Sequence, residues 1–179
     1  PIVKSLLQDF QLKFEKPEYY TGVKYGAVLY KNNPCGENIA PSMMSADYSK
    51  ITTFIDTKVN EMNCQSTGGN QPLSEGLIAA GNLLSDVPDE TNIIITVGTT
   101  ASRTGNLSLV LNALSQAEAK LIMYQTSARS SDTYNDFVLM SESIVTNTAK
   151  NVAELKKQKI IEQKDVLNKN NFNLVEGDE

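Results

Sequence analysis

The stretch STGGNQPLSEGLIAAGNLL, residues 66–84, joins a pair of glycines and a proline to an apolar run. In that run Leu73, Leu77, Ala80 and Leu84 recur at spacings of three and four residues, which predicts a helix with one buried face. The glycines then form a loop that leads into the N-terminus of this helix. Because free N–H groups and the positive end of the helix dipole point outward there, the loop suits an anion or a metal, or serves only as a tight turn.

Downstream of this helix, strands and helices alternate. The runs NIIITVGTT, residues 92–100, and KLIMYQTSA, residues 120–128, are short and continuously apolar, which is typical of strands buried on both faces at the centre of a sheet. The segment NLSLVLNALSQAEA, residues 106–119, predicts a helix between them. A long helix is predicted over residues 134–163, with a second half much more polar than the first.

Upstream, the pattern predicts a helix over residues 2–15, a strand over residues 23–31, and a second helix with Ser45 as its N-cap. The residues expected on one face of that second helix are Tyr48, Ile51, Ile55, Val59 and Met62. Alternating strands and helices of these lengths imply right-handed crossovers and a parallel sheet. The predicted fold class is therefore α/β.

Composition excludes several classes of function. The chain has 179 residues, a net charge of −5 and no basic stripe, which argues against a general nucleic-acid surface. It contains no histidine, so Ser-His-Asp sets, Cys-His sets and histidine metal ligands are excluded within it. Its longest apolar runs, such as residues 107–111, are far below the roughly 18 residues needed to span a bilayer. We expect no nucleic-acid partner and no membrane insertion by this segment.

From its first helix to its last, this order of elements resembles the von Willebrand factor A (vWA) domain. The strongest local similarity is that of GGNQPLSEGLIAA, residues 68–80, to the family's GGTPL-x-E-A-L-x-x-A segment. The next is that of NIIITVGTTAS, residues 92–102, to VLLTDGxS. The resemblance implies a doubly wound, mainly parallel sheet with helices on both faces. We assign this domain to residues 1–150 and a charged helical extension and linker to residues 151–179.

In the vWA family a divalent metal, usually Mg²⁺, sits at the top of the sheet and takes a carboxylate from a partner protein. The resemblance assigns the family's loop threonine to Gln71, or to Asn70 if the loop is shifted by one residue, and its T-D-G aspartate to Val97. The family's D-x-S-x-S segment is not present. Because a hard cation needs charged oxygen and valine supplies none, we expect no metal, no other cofactor and no catalytic residue.

The same edge of the sheet is predicted to bind a protein partner instead. The predicted rim residues are Gly68, Gly69, Asn70, Gln71, Gly98, Thr99, Thr100 and Ser102. The chain begins at Pro1 without a methionine or a signal stretch, and it lacks the first, central strand of the vWA fold. An unfilled central slot would leave buried backbone groups unpaired. We therefore expect an upstream segment of the same parent protein to complete the sheet.

The two cysteines, Cys35 and Cys64, are too few and too widely spaced for a zinc site made from this chain alone. Either both are free or they pair with each other. In a vWA-like topology both lie on the top rim of the sheet, where a disulfide would suit a periplasm or a cell exterior. The alternative is two free thiols in a reducing cell, since proximity on the rim does not ensure the close Cα approach that a bridge requires.

Two functions stay open. The first is a non-catalytic interaction or scaffold module of a larger assembly, which binds through the rim of the sheet or through the charged extension after Lys150. The degenerate metal site and the long polar helix also resemble the vWA-like part of the TssR family, an accessory component of one branch of bacterial type VI secretion systems, which implies a periplasmic or envelope role.

The second function is that of a phosphate- or flavin-binding α/β domain. The segment VGTTASRTGNLSLVL, residues 97–111, has the order of strand, Ser/Thr-Gly loop and helix with which flavodoxin-like proteins hold the FMN phosphate. Its contact loop would be Thr99–Asn106. The simpler interpretation of this loop is a helix N-terminus capped by Thr104 or Asn106.

Overall fold

The computed structural model describes residues 2–14, 22–62, 71–85, 91–99, 106–126 and 132–169. The helices and strands within these ranges are α1 (Ile2–Phe14), β1 (Val28–Tyr30), β2 (Ile39–Pro41), α2 (Tyr48–Glu61), α3 (Leu73–Leu84), β3 (Ile93–Gly98), α4 (Leu107–Gln116), β4 (Lys120–Gln125) and α5 (Asp132–Lys169). This order confirms the α/β class. The first strand is shorter than the predicted 23–31, because only its last part pairs with β2.

The described strands form two separate two-stranded sheets. β1 and β2 are antiparallel. β3 and β4 are parallel, in register from Ile93 opposite Lys120 to Gly98 opposite Gln125. α4 joins them as the crossover that a parallel pair requires. The parallel pairing of these two strands follows the prediction.

The core lies between the β3–β4 sheet and the helices α3, α4 and α5. Its buried members are Leu73, Leu77, Ile94, Val110, Leu114, Ala117, Ala119, Phe137 and Ile144. The predicted apolar face of α3 is confirmed, since Leu73 and Leu77 are buried and Ala80 and Leu84 pack against the same cluster. At Gly81 an added Cβ would lie 2.9 Å from the backbone of Ala113, so α3 and α4 are closer than a side chain there would allow.

The expectation that β3 and β4 are buried on both faces is wrong. Ile93, Ile122 and Tyr124 are each 52% exposed, whereas Ile94 and Thr96 are buried. Burial therefore alternates along each strand, as it does when a sheet is covered on one face. The reason is that Ile94 shares its cluster with residues of α3, α4 and α5, so these helices pack on the same face of the sheet.

The N-cap of α2 is Asp47 and not the predicted Ser45. The Asp47 carboxylate accepts hydrogen bonds from the backbone N–H and the hydroxyl of Ser49 at 2.9 and 2.6 Å, which hold its pKa below the ordinary value. Ser45 instead exchanges two backbone hydrogen bonds of 2.7 and 2.8 Å with Tyr25. This pairing keeps Ser45 in an extended bridge before the helix. Val59, expected on the buried face, is 52% exposed.

α5 runs without interruption from Asp132 to Lys169, across the predicted domain boundary after residue 150. Phe137 and Ile144 in its first half are buried in the core. The described side chains beyond Val152 are exposed. None of the described helices combines the length and the apolarity needed to cross a membrane. The boundary itself stays a prediction.

Glu118, in the turn between α4 and β4, anchors the exposed half of α5. Its carboxylate lies 3.1 Å from the ammonium group of Lys156 and 2.7 Å from that of Lys159. The Glu118 side chain is only 15% exposed, and its φ of 48° is in the left-handed region. Hydrogen bonds from Lys159 and Lys156 hold the pKa of Glu118 below its usual value.

Replacing Glu118 with Gln keeps the size of the side chain and the left-handed backbone but removes the charge. We expect the free energy of unfolding to fall by at most about 1 kcal/mol at neutral pH, because both lysines are solvent-exposed. Since the folded pKa of Glu118 is lowered, its contribution is present above the ordinary value of 4.5 and is lost as the pH falls through the folded pKa. Urea denaturation of both proteins at neutral and acidic pH measures this difference.

The control is Glu162→Gln on the exposed part of α5, which should leave stability unchanged. The effect of Glu118→Gln should also shrink at high salt, because salt screens exposed charges. A stability loss that is the same at every pH would contradict a role for the two ion pairs.

Candidate interaction site at the carboxyl end of the sheet

The carboxyl ends of β1 and β3 meet through the side chain of Tyr30. Its hydroxyl donates a hydrogen bond to the carbonyl oxygen of Val97 at 3.2 Å. An added Cβ at Gly76 would lie 3.0 Å from Cβ and Cγ of Tyr30. An added Cβ at Gly98 would collide with the Tyr30 hydroxyl and lie 2.9 Å from Cε2 of Phe137. The two glycines therefore provide the space that Tyr30 occupies between α3 and β3.

The next two carbonyl groups after Val97 also accept hydrogen bonds. The Gly98 oxygen accepts hydrogen bonds from the backbone N–H of Thr126 at 2.9 Å and from its hydroxyl at 3.1 Å. The Thr99 oxygen accepts one from the side-chain amide of Gln125 at 2.8 Å. The end of β3 is thus tied to β1 on one side and to β4 on the other.

Gln71 holds the segment that follows β1. Its side-chain oxygen accepts a hydrogen bond of 2.9 Å from the backbone N–H of Asn32. The ammonium group of Lys31 donates to the carbonyl oxygen of Met62 at 2.9 Å. The start of α3 and the end of α2 are therefore both fastened to the residues just after Tyr30.

Three of the predicted rim residues lie in the described part of the chain. The structure places Gln71 within hydrogen-bond distance of Asn32, just after β1, places Gly98 against the Tyr30 hydroxyl, and places Thr99 directly after β3. The other rim residues lie outside the described residues: Gly68, Gly69, Asn70, Thr100 and Ser102. The role of this rim in partner binding stays a prediction.

Sequence reasoning missed Tyr30. The hydroxyl of this residue is the group that joins the two sheets, and burial raises its pKa from 10.0 to about 12. The phenol is therefore a neutral hydrogen-bond donor at physiological pH. The available signals were a tyrosine at the end of an apolar strand, β1, and a glycine at the end of β3, but no local pattern pairs these distant positions.

Cys35 lies in the loop between β1 and β2 and is disulfide-bonded. Asn33 organises this loop: its side-chain oxygen accepts a hydrogen bond of 3.2 Å from the Cys35 N–H, and its own N–H donates to the Asn38 side chain at 2.8 Å. Cys64, the other cysteine of the chain, lies outside the described residues. The pairing of Cys35 with Cys64 stays a prediction.

The residues at the positions that the resemblance assigns to a metal do not fit a hard divalent cation. Val97 offers no charged oxygen, and its carbonyl oxygen already accepts the Tyr30 hydroxyl. The Gln71 side-chain oxygen is neutral and accepts the Asn32 N–H. Among the residues that the structure describes, no three His, Cys, Asp or Glu side chains gather into a group that could hold an ion.

The loop proposed for phosphate, Thr99–Asn106, is described only at its two ends. Asn106 is the N-cap of α4, and its side-chain oxygen accepts a hydrogen bond of 3.2 Å from the Leu109 N–H. This confirms Asn106 as the cap rather than Thr104, which lies outside the described residues. Phosphate or flavin binding at this loop stays a prediction.

The α/β order, the parallel β3–β4 pair and the glycine-bounded edge are consistent with a domain of the vWA-like class. The family model of the TssR protein VWA domain matches residues 1–179, and the chain therefore belongs to this family. Membership associates the chain with type VI secretion. No curated protein and no solved structure matched the chain.

Replacing Tyr30 with Phe keeps the ring but leaves the Val97 carbonyl without its donor. We expect a loss of about 1 kcal/mol in the free energy of unfolding at neutral pH. Because burial raises the pKa of Tyr30 to about 12, the stability it contributes is complete below its ordinary value of 10.0 and is lost as the pH rises toward 12. Urea denaturation at neutral and alkaline pH measures both effects.

Tyr124→Phe is the matched control, because Tyr124 is 52% exposed and should tolerate loss of its hydroxyl. The wild type should lose stability with rising alkaline pH more steeply than Tyr30→Phe. Parallel pH profiles for the wild type and Tyr30→Phe would show that the Tyr30 hydroxyl does not contribute to folding.

We predict that Cys35 and Cys64 form one disulfide in the native protein. Closing the loop between them should stabilise the fold by about 3 to 4 kcal/mol. Reduction by dithiothreitol should therefore lower the melting temperature, and the double variant Cys35→Ser/Cys64→Ser should show the same lower value with or without reductant. Thiol titration of the unreduced, denatured wild type should find no free thiol, and two free thiols would contradict the bridge.

Proposed function

We propose that this domain is a non-catalytic protein-interaction module of a type VI secretion-associated assembly in the bacterial envelope. Membership of the TssR VWA family supports the association with secretion. The proposal adds two points to this association. The domain acts by binding other proteins at the carboxyl rim of its sheet, and an extended segment of its parent protein completes that sheet. It requires neither a catalytic residue nor a cofactor of this chain.

The observation that carries the proposal is a pair of open strand edges that face each other. The Gly98 carbonyl points to β4, where it accepts from Thr126, and the Val97 carbonyl points the other way, to Tyr30. Because these directions alternate along a strand, the N–H and C=O groups of Ile93 and Ile95 also point away from β4. In the described part of the chain no strand pairs with this edge of β3.

The second open edge is the side of β1 that points away from β2. Its Lys31 N–H donates to Asn38 in the turn toward β2, so the Asn32 N–H points away from β2, where it meets the Gln71 side chain. By the same alternation, the backbone groups of Val28 and Tyr30 point away from β2. The side chains of Tyr30 and Gln71 satisfy backbone groups at the carboxyl end of these two edges. Toward the amino ends of β1 and β3, an inserted strand would supply hydrogen-bond partners for the remaining outward backbone groups.

We call the space between the open edges of β1 and β3 the slot. Its proposed occupant is an extended segment from upstream in the parent protein. Each buried backbone group left without a partner costs about 1 to 3 kcal/mol, so a strand that pairs with both edges would stabilise the domain. Both faces of a parallel sheet are ordinarily covered, which favours a strand with apolar side chains. The disulfide at Cys35 supports an oxidising compartment such as the periplasm.

Amide hydrogen exchange tests the proposal. In this chain alone, the amides of Ile93, Ile95 and Val97 should exchange quickly, because they point into the slot. In the parent protein with its upstream segment, their exchange should slow by roughly a hundredfold or more. The amides of Ile94 and Thr96 point to β4 and are the internal control, because they should be protected in both samples. Equal exchange of the three slot amides in the two samples would contradict insertion.

A further inference from the structure

The helix α1 carries an apolar stripe that the described residues cover only in part. The residues of this stripe are Val3, Leu6, Leu7 and Phe10. Their spacings of three and four residues place them on one side of the helix, and Leu12 lies on the opposite side. None of the side chains described in α1 is buried: Val3 is 40% exposed, and the other three of the stripe are half-buried. The stripe therefore has apolar surface that a further element would cover.

α1 and α2 form a packing layer separate from the core. α1 packs on α2, where the ammonium group of Lys4 pairs with the carboxylate of Asp56, and α2 packs on β1. Ile51 and Ile55 of α2 are buried, but they are not members of the cluster that α3, α4 and α5 form with Ile94. The two helices therefore belong to another part of the molecule than the three core helices.

The handedness of crossover connections decides which face of the sheet α1 covers when the slot is filled. A crossover between parallel strands is right-handed. From β3 to β4 the chain steps away from the slot, and α4 lies on the core face with Ile94. From a parallel strand in the slot, through α1, to β1, the chain steps in the opposite direction. A right-handed crossover then requires α1 on the opposite face, where Ile93, Ile122 and Tyr124 are exposed.

We propose that the apolar stripe of α1 covers the strand inserted in the slot, on the face of that strand that points away from the core. This inference rests on the proposed function, since it requires an upstream strand beside β3. The strand that α1 covers belongs to the parent protein, because the upstream segment continues into α1 and the right-handed crossover places the helix over its own strand.

The inserted strand then has two different apolar faces. Its side chains point alternately to the core helices and to α1. Leu6, Leu7 and Phe10 offer aliphatic and aromatic surface, so the residues that face α1 should be large and apolar. A charged residue at those positions would be buried without a partner, which is costly. α1 therefore adds selection by side chain to the backbone pairing along the two edges of the slot.

Amide hydrogen exchange within α1 tests the inference. A helix of 13 residues without buried side chains is marginal in water, so the amides of Leu7 and Gln8 should exchange quickly in this chain alone. In the parent protein with its upstream segment they should exchange at least tenfold more slowly. Unchanged exchange in α1 with slowed exchange at Ile93 and Ile95 would overturn the inference and leave the proposed function in place. Unchanged exchange at all four amides would overturn both.

A pair of matched variants provides the second test. In the parent protein, Leu7→Ala should speed exchange of the Ile93 and Ile95 amides at least tenfold, because it removes apolar contact with the strand that protects them. Leu12→Ala is the control, since Leu12 is 62% exposed on the opposite side of α1, and it should exchange as the wild type does.

The amides of Ile94 and Thr96 show whether each variant is folded, because they pair with β4 and should stay protected in both. Equal exchange of Ile93 and Ile95 in the Leu7→Ala and Leu12→Ala proteins would show that the stripe does not cover the inserted strand, and it would overturn the inference.

Discussion

The hydroxyl of Tyr30 donates to the Val97 carbonyl at 3.2 Å and joins two sheets that share no strand pairing in the described residues. The contact constrains its surroundings. An added Cβ at Gly98 would collide with the Tyr30 hydroxyl, one at Gly76 would press against Tyr30 at 3.0 Å, and Phe137 closes the site from α5. A half-buried phenol with a raised pKa stays protonated and neutral, so it can serve as a hydrogen-bond donor at little electrostatic cost.

The same contact shapes the carboxyl edge of the sheet. Polar atoms that could bind a ligand at this edge bind other parts of the domain instead: Gln71 binds Asn32, and Thr126 and Gln125 bind the carbonyl groups after Val97. The polar atoms described at this edge are therefore already engaged within the domain. The proposed function rests instead on the edges of β1 and β3 that have no strand partner in the described residues and on the family.

The described part of the domain is packed unevenly on the two faces of the β3–β4 sheet. α3, α4 and α5 cover one face of the β3–β4 sheet and form the core with Ile94. The other face carries Ile93, Ile122 and Tyr124 in contact with solvent. Parallel sheets normally bury both faces and all inner edges. The described domain therefore has backbone edges with which additional strands could pair, and apolar surface on one face of the sheet that another layer of structure would cover.

Local patterns determined much of this architecture. The spacing of Leu73 and Leu77 after a glycine loop predicted α3, the apolar runs predicted the parallel pair, and the change from apolar to polar residues predicted the exposed half of α5. These features follow from periodicity and propensity within a few turns of chain. The short apolar run of β3, by contrast, has the same composition whether one face or both faces are covered.

Tertiary contacts decided the features that local patterns could not predict. The solvent contact of Ile93 depends on which helices reach that face, and the cap of α2 depends on the pairing of Ser45 with Tyr25. The bond between Tyr30 and Val97 joins residues far apart in the chain. The sequence by itself determined which segments are helices and strands, because local backbone preference and side-chain periodicity are properties of neighbouring residues. Only the assembled fold decided which groups meet at the sheet edge, because those contacts arise between distant segments.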